Sequence, residues 1–173
     1  MKTLEYTYKD EEKAEWGDGP WNDEPDKVQF LDEETGLPCI IKRGPMGAWC
    51  GYVGVSKNHP AHGMDYSEEG SLEVHGGLTF AGACQEHGEG EEADAICHVV
   101  EDGEDDNVWW LGFDCAHGWD LIPRMKATHK RLYEETGDEL WNDLHNPRAE
   151  TYRDQAYVTA EVRSLAKQLA ALA

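Results

Sequence analysis

Cationic side chains are scarce in this sequence of 173 residues. Fifteen Lys and Arg residues stand against 36 Asp and Glu residues, which leaves a formal net charge of −21 at pH 7. Binding to nucleic acids depends on cation–phosphate contacts, and binding to anionic lipid surfaces depends on clustered cations. The shortage therefore argues against nucleic-acid binding and against attachment to a membrane surface. The acidity indicates a well-solvated surface, and mimicry of DNA is disfavoured because the acids cluster in loops.

Long apolar runs are also missing. No stretch approaches the roughly 20 apolar residues that span a bilayer. The first thirty residues are crowded with acids and lack the apolar segment of a secretory signal. The sequence therefore predicts a cytoplasmic protein without membrane association. An odd number of cysteines at irregular spacing favours reduced thiols over a secreted disulfide framework, and these cysteines are Cys39, Cys50, Cys84, Cys97 and Cys115.

The order of residue patterns predicts an α+β fold. Residues 1–27 are polar, acidic and broken by Gly and Pro, and we expect an irregular N-terminal arm whose Trp16 and Trp21 dock on the body. Residues 28–173 are predicted to form a single α+β domain, long enough to bury a core. Apolar runs bounded by turn residues predict strands over Val28–Leu31, Cys39–Lys42, Trp49–Val55, Ser71–Phe80, Ala95–Val100 and Val108–Phe113.

The last third of the sequence changes to a helical period. A shorter helix is predicted from about Pro123 to Glu135, ending at Gly137. Asn146 followed by Pro147 predicts the start of a long C-terminal helix. Its apolar stripe consists of Val158, Val162, Leu165, Leu169 and Leu172. Strands first and helices last are typical of a mostly antiparallel sheet packed by these two helices.

Two segments begin as apolar strands and end in groups that can bind or react. The first contains His75-Gly76-Gly77, followed by Thr79. Backbone amides of such a turn can hold a phosphate or a carboxylate, and Thr79 adds a hydroxyl. A plain turn or bulge fits the glycine pair equally well. The Gly-x-Ser-x-Gly motif of serine hydrolases is absent, which argues against that class.

The second segment runs from Trp109 to Asp120 and allows three interpretations. In the first, Asp114, His117 and Asp120 join His75 as ligands of a hydrolytic divalent metal ion. Their spacing matches no established metalloenzyme motif, so no metal and no cofactor are predicted. Asp120 also fits a simple helix cap.

In the second interpretation, Cys115 is a nucleophile and His117 its base. In the third, His117 and Asp114 hydrogen-bond a bound ligand. A tryptophan would then stack on that ligand, the candidates being Trp109, Trp110 and Trp119.

The few cations are unevenly distributed. Arg124, Lys126, Lys130 and Arg131 fall within eight residues, and Arg153 lies near the start of the last helix. A local cationic patch on an acidic protein would attract a small anion. Ordinary salt bridges on helix surfaces explain the same residues equally well.

Four blocks of the sequence carry a resemblance to a known family. They are Cys50–Val55 (CGYVGV), Val74–Phe80 (VHGGLTF), Trp109–His117 (WWLGFDCAH) and Tyr152–Val158 (YRDQAYV). With them the chain resembles a widespread family of small bacteriophage accessory proteins over roughly residues 45–170. The resemblance implies a phage accessory protein of the host cytoplasm rather than a part of the virion. The family has no established activity, so no catalytic residue carries over.

These observations predict a phage-type accessory protein that binds a small anionic nucleotide-like ligand, for instance to sequester a host immune signal. The alternatives are a small metal-dependent or Cys/His hydrolase, and an acidic protein that blocks a host protein. Whether the protein is an enzyme or a homo-oligomer stays open. We expect His75, Thr79, Asp114 and His117 to meet in one concavity. The full predicted site is His75, Gly76, Gly77, Thr79, Trp110, Asp114, His117, Arg124 and Arg153.

Overall fold

Six antiparallel strands form one sheet in the part of the chain that the computed structural model describes, residues 1–67, 72–85, 94–101, 103, 107–145 and 150–173. The strands are β1 (Leu4–Tyr6), β2 (Lys27–Leu31), β3 (Pro38–Arg43), β4 (Trp49–Ser56), β5 (Phe80–Ala83) and β6 (Val108–Asp114). The helices are α1 (Asp10–Trp16), α2 (Pro123–Thr136), α3 (Glu139–His145) and α4 (Gln155–Ala170). The sheet order is β1-β2-β3-β4-β6-β5, and the α+β fold class is confirmed.

Helix α4 covers one face of the sheet. Val158, Val162, Leu165 and Leu169 lie at alternating spacings of four and three, so they form one stripe of the helix, and all four are fully buried. Gly51 on β4 permits this close packing, because a Cβ atom there would overlap the Val162 side chain. The stripe packs with sheet residues that share the same core, namely Ile41, Val53, Leu111 and Phe113.

The start of α4 differs from the prediction. The helix begins at Gln155, with the Asp154 carboxylate as N-cap accepting from the Tyr157 amide at 2.8 Å. The predicted start at Asn146-Pro147 lies outside the described residues and is wrong for this helix. Thr151 is engaged in an extended pairing, since its amide donates to the Trp119 carbonyl, and the helix forms only after it. Helix α2 is confirmed within one residue, and it ends at a left-handed Gly137.

A chain segment, not a helix, covers the opposite face of the sheet. Residues 94–99 cross over Ile40, Tyr52 and Trp110, and the predicted strand at Ala95–Val100 is wrong. Two buried β2 side chains satisfy the backbone of this segment. The Lys27 ammonium donates to the carbonyls of Ala95 and Cys97, both at 2.9 Å, and Gln29 exchanges two hydrogen bonds with Val99. Backbone groups that a neighbouring strand would have paired are thus paired by side chains.

A disulfide between Cys84 and Cys97 ties this covering segment to the chain that follows β5. Their Cα atoms lie 4.7 Å apart, within the range that a disulfide requires. The prediction of reduced thiols is therefore wrong for this pair. It holds for the other three cysteines, Cys39, Cys50 and Cys115.

The predicted strand at Ser71–Phe80 is largely wrong. Ser71 lies outside the described residues, residues 72–79 form no strand, and β5 begins only at Phe80. Gly76 and Gly77 have φ angles of 68° and 89°, a left-handed conformation that interrupts an extended run. The Gly77 amide donates to the Val74 carbonyl at 3.0 Å and closes the turn.

Residues 1–27 are more ordered than the predicted irregular arm. They contain β1, which pairs with β2, helix α1 and a short 3₁₀ helix at Pro20–Asp23. The predicted docking of Trp16 and Trp21 is confirmed, since both indoles are buried. Trp16 lies against Gly47, and Trp21 makes an edge-to-face contact with Tyr152.

Candidate functional site

Asp120 lies at the centre of a polar cluster formed with His75, His117 and Arg153, which we call the Asp120 cluster. The Asp120 side chain is 0% exposed. Its Oδ2 lies 2.7 Å from His75 Nε2 and 3.3 Å from His117 Nδ1, and accepts from the His117 amide at 3.1 Å. Its Oδ1 accepts from Arg153 Nε at 3.0 Å. One buried carboxylate therefore gathers two imidazoles and a guanidinium.

The chain after β6 places His117 and Asp120. Strand β6 ends at Asp114, whose Oδ1 accepts from the Ala116 amide at 2.9 Å and turns the chain out of the sheet. The Asp120 amide then donates to the His117 carbonyl at 2.9 Å, a tight turn that brings the two side chains together. A parallel bridge between Asp120 and Thr151 positions Arg153 two residues further on.

Gly76 allows His117 to occupy its position. A Cβ atom at Gly76 would overlap the His117 ring, and its φ of 68° also favours glycine. A Cβ atom at Gly77 would meet nothing within 4 Å. The first glycine is therefore required for close approach, whereas the second is required only for the turn.

Helix α4 holds His75 from the other side. Tyr157 and Glu161 lie one turn apart and so on the same helix face. The Tyr157 hydroxyl lies 3.0 Å from His75 Nδ1, and a Glu161 carboxylate oxygen accepts from the His75 amide at 2.9 Å. Both ring nitrogens of His75 therefore have partners, which fixes the orientation of the imidazole.

Hydrogen bonding keeps Asp120 ionised. Burial acts to raise the pKa of its carboxyl, but hydrogen bonds from His75, Arg153 and the His117 amide outweigh burial and hold that pKa below its ordinary value. Burial raises the pKa of the Cys115 thiol, and the nearby Asp120 carboxylate raises it further. Cys115 is therefore a protonated thiol at neutral pH, which disfavours it as a nucleophile.

The Asp120 cluster reaches the protein surface at Trp119. The Trp119 indole is 51% exposed and stacks on His117, with 5.0 Å between ring centroids and 6° between planes. The side chains of His117 and Arg153 are 20% and 24% exposed. His117 Nε2 and the terminal nitrogens of Arg153 have no hydrogen-bond partner among the described residues. These groups are the ones that a solute can reach.

Part of the predicted site lies at the Asp120 cluster. His75, Gly76, His117 and Arg153 meet there, and Gly77 belongs to the same turn. The sequence analysis also missed residues of this site. Asp120 was considered as a metal ligand and as a helix cap but was left out of the predicted site, and Ile122 is the N-cap of α2. Tyr157 and Glu161 had no predicted role. Their spacing of four places both on one face of α4, but the contact of that face with His75 is set by the three-dimensional packing.

The remaining predicted residues lie elsewhere. Asp114 and Trp110 face the side of the sheet that residues 94–99 cover, and Trp110 is fully buried there with its Nε1 on Cys84 Sγ. Thr79 is exposed just before β5, and its amide donates to the Gly112 carbonyl. Arg124 is exposed at the start of α2. Among the described residues, neither Asp114 nor Thr79 makes a hydrogen bond with His75 or His117.

Two groups in the described chain have the composition of metal ligands. His75, His117 and Asp120 offer ligand atoms that lie within 4.8 Å of one another, and so do Cys84, Cys97 and His98. In the second group both sulfurs are joined in the disulfide. Only the first group therefore has its ligand atoms available in this structure.

Comparisons with protein-family models, curated proteins and solved structures gave no match for this chain. No helix in the described ranges is long and apolar enough to cross a membrane.

Proposed function

We propose that the protein binds a small anionic nucleotide-like ligand at the Asp120 cluster. The observation that carries this proposal is the exposed Trp119 indole, which stacks on His117 next to Arg153. Nucleobases bind through stacking on aromatic faces, and phosphates bind to guanidinium groups. The structure thus offers a face for a base and donors for a phosphate. Of the three tryptophans considered for the stacking role, Trp119 is the one beside the Asp120 cluster.

The charge distribution favours a small anion over a polymer. A net charge of −21 repels a long phosphate backbone, whereas a single phosphate can approach a local cation. Arg153 uses its Nε to hold Asp120, which leaves its outer nitrogens for a ligand. His117 Nε2 is a further polar atom for a ligand, and its role as donor or acceptor depends on the tautomer of the ring. The resemblance to phage accessory proteins makes a host nucleotide signal the first ligand to try.

The alternatives have less support. A Cys/His hydrolase would need an accessible thiolate, but Cys115 is buried and its thiol pKa is raised. An acidic blocking protein would use acid-rich loops, much of which lie outside the described residues at 86–93 and 104–106. That alternative stays a prediction.

Trp119→Ala is the sharpest test, because the indole is half exposed and its removal leaves the core intact. A thermal-shift panel of nucleoside monophosphates, triphosphates and cyclic dinucleotides first identifies a binder, with inorganic phosphate alongside. Calorimetry should then show roughly five- to a hundredfold weaker binding for Trp119→Ala, the range for loss of one stacking contact. Trp141→Ala is the matched control. Trp141 lies on α3 and also contacts a histidine, but that histidine is His129 of α2, outside the Asp120 cluster.

Arg153→Ala tests the phosphate contact in the same way. Loss of a charge-assisted hydrogen bond of about 1.5–3 kcal/mol should weaken binding roughly ten- to a hundredfold. Arg163→Ala is the control, because Arg163 lies on α4 and faces Asp32 rather than Asp120, and it should leave affinity unchanged. Equal affinities for all four variants, or a panel in which no nucleotide raises the melting temperature, would contradict the proposal.

A further inference from the structure

We infer that His75, His117 and Asp120 form a binding site for a divalent transition-metal ion of the zinc class. The ligand atoms are His75 Nε2, His117 Nδ1 and Asp120 Oδ2. This inference is independent of the nucleotide proposal and departs from the sequence analysis, which predicts no metal. It rests on three features: the spacing of the ligand atoms, the contacts that orient them and the accessibility of the site.

The spacing of the three atoms fits a metal ion. A tetrahedral ion with bonds of about 2.05 Å holds neighbouring ligand atoms about 3.3 Å apart. Asp120 Oδ2 lies 2.7 Å from His75 Nε2 and 3.3 Å from His117 Nδ1, and all three atoms lie within 4.8 Å of one another. Shifts of a few tenths of an ångström to about one ångström bring the three atoms to this geometry.

Each ligand is also oriented by a second contact, as is usual for metal-binding residues. When Nε2 of His75 binds a metal, Nδ1 carries the proton. The Tyr157 hydroxyl oxygen lies 3.0 Å from Nδ1 and accepts its hydrogen bond. Arg153 holds Oδ1 of Asp120 at 3.0 Å, and the His117 amide donates to Oδ2 at 3.1 Å, so the carboxylate that would bind the ion is held at both oxygens. The stack on Trp119 fixes the plane of the His117 ring.

The ligand types select the class of ion. Two imidazoles and one carboxylate suit Zn²⁺ and Co²⁺, whereas Mg²⁺ and Ca²⁺ prefer oxygen ligands alone. Three protein ligands leave the fourth position of a tetrahedral ion open. The His117 side chain is 20% exposed, whereas those of His75 and Asp120 are 5% and 0% exposed, so an ion would enter from the His117 side.

Cobalt titration of the metal-free, full-length protein tests this inference without any nucleotide. We expect one Co²⁺ per chain, a visible absorption band of a tetrahedral site, a higher melting temperature and a change in Trp119 fluorescence. Zn²⁺ should displace Co²⁺, and Mg²⁺ should not. The titration is run without reductant, so that the disulfide keeps Cys84 and Cys97 from binding metal.

His117→Ala is the decisive variant, because its side chain is partly exposed and circular dichroism can confirm that the variant folds. Loss of one of three ligands should weaken binding by on the order of a hundredfold or more, and Tyr157→Phe should weaken it roughly tenfold through the lost contact to His75. His129→Ala is the control and should bind as the wild type does. Absence of a cobalt band in the wild type, or equal binding by His117→Ala and His129→Ala, would overturn the inference.

Discussion

The protein contains two clusters in which an arginine faces buried carboxylates, and they differ in accessibility. In the Arg43 cluster, the guanidinium contacts Glu24 at 2.5 Å and Asp26 at 3.4 Å, and Lys13 lies 2.9 Å from Asp26. Arg43 is 0% exposed, whereas Arg153 in the Asp120 cluster is 24% exposed. In both clusters, residues outside α4 contact the chain at the start of that helix.

The donors of the Arg43 cluster are used within the protein. Arg43 also donates to the Gly47 carbonyl and to the Tyr152 hydroxyl, and its guanidinium lies 4.3 Å from the centre of the Trp49 ring. Glu24 in turn accepts from the Gln155 amide at the first turn of α4. The Asp120 cluster instead leaves His117 Nε2 and the outer Arg153 nitrogens to solvent. The Arg43 cluster is therefore closed to solvent, whereas the Asp120 cluster keeps polar atoms that face solvent.

Removal of Arg43 should have the largest effect on stability. Arg43→Met leaves Glu24 without this cation and Asp26 with Lys13 as its remaining cation, and breaking a buried ion pair from one side costs about 3–5 kcal/mol. Arg153→Met should cost less, because Asp120 keeps its hydrogen bonds from His75 and His117. Denaturant unfolding measures both, with Arg163→Met as an exposed control near 0–1 kcal/mol. A larger loss for Arg153→Met than for Arg43→Met would contradict this difference.

Replacing each of the two neighbouring glycines by alanine should separate the cost of a positive φ angle from the effect of displacing His117. Gly76→Ala and Gly77→Ala both place a side chain at positive φ, which costs roughly 1–2 kcal/mol in each. Only Gly76→Ala also forces His117 out of its position. We therefore expect a greater loss of stability for Gly76→Ala, together with a loss of the Trp119 near-ultraviolet circular dichroism signal. If both variants retain that signal, the close approach of Gly76 and His117 is not required.

The smallest expected effect is a change in acid sensitivity. A carboxyl whose pKa is lower in the folded protein stabilises the fold above its unfolded pKa, about 3.9 for Asp, and this stabilisation is lost as the pH falls toward the folded value. The pKa of Asp120 is lowered in this way. The stability difference between wild type and Asp120→Asn should therefore be greatest above pH 4 and shrink below it.

Unfolding curves between pH 2.5 and 7 measure this difference, and the exposed Glu134→Gln provides the control. Parallel stability curves for wild type and Asp120→Asn across this range would show that Asp120 does not titrate as described.

Strong local patterns made most of the fold predictable. Four apolar runs gave β2, β3, β4 and β6 nearly to the residue, and Pro123 and Gly137 delimited α2. The misses arose where partners distant in sequence decide the structure. Residues 94–99 resemble a strand in composition, but Lys27 and Gln29 pair with their backbone from about 70 residues away.

The candidate site was predictable only in part, for a related reason. His117 was found because it follows β6, and His75 was found because it was predicted to follow a strand that the structure does not contain. Side chains alternate between the two faces of a strand, so the sequence of β6 already places Trp110 and Asp114 on the face opposite to Leu111 and Phe113. The predicted site did not use this alternation. Tyr157 and Glu161 on α4 could not be assigned, because the contact of that helix face with His75 depends on the three-dimensional packing.

The attachment of residues 94–99 has a consequence for how the sequence can change over time. A strand is held by amide and carbonyl groups that almost every amino acid supplies, so most substitutions preserve its pairing. Residues 94–99 are held largely by the Lys27 ammonium, the Gln29 amide and one disulfide, which belong to particular side chains. The attachment of residues 94–99 to this face therefore depends on particular side chains of β2. A change at Lys27 alters a segment about 70 positions away in the sequence.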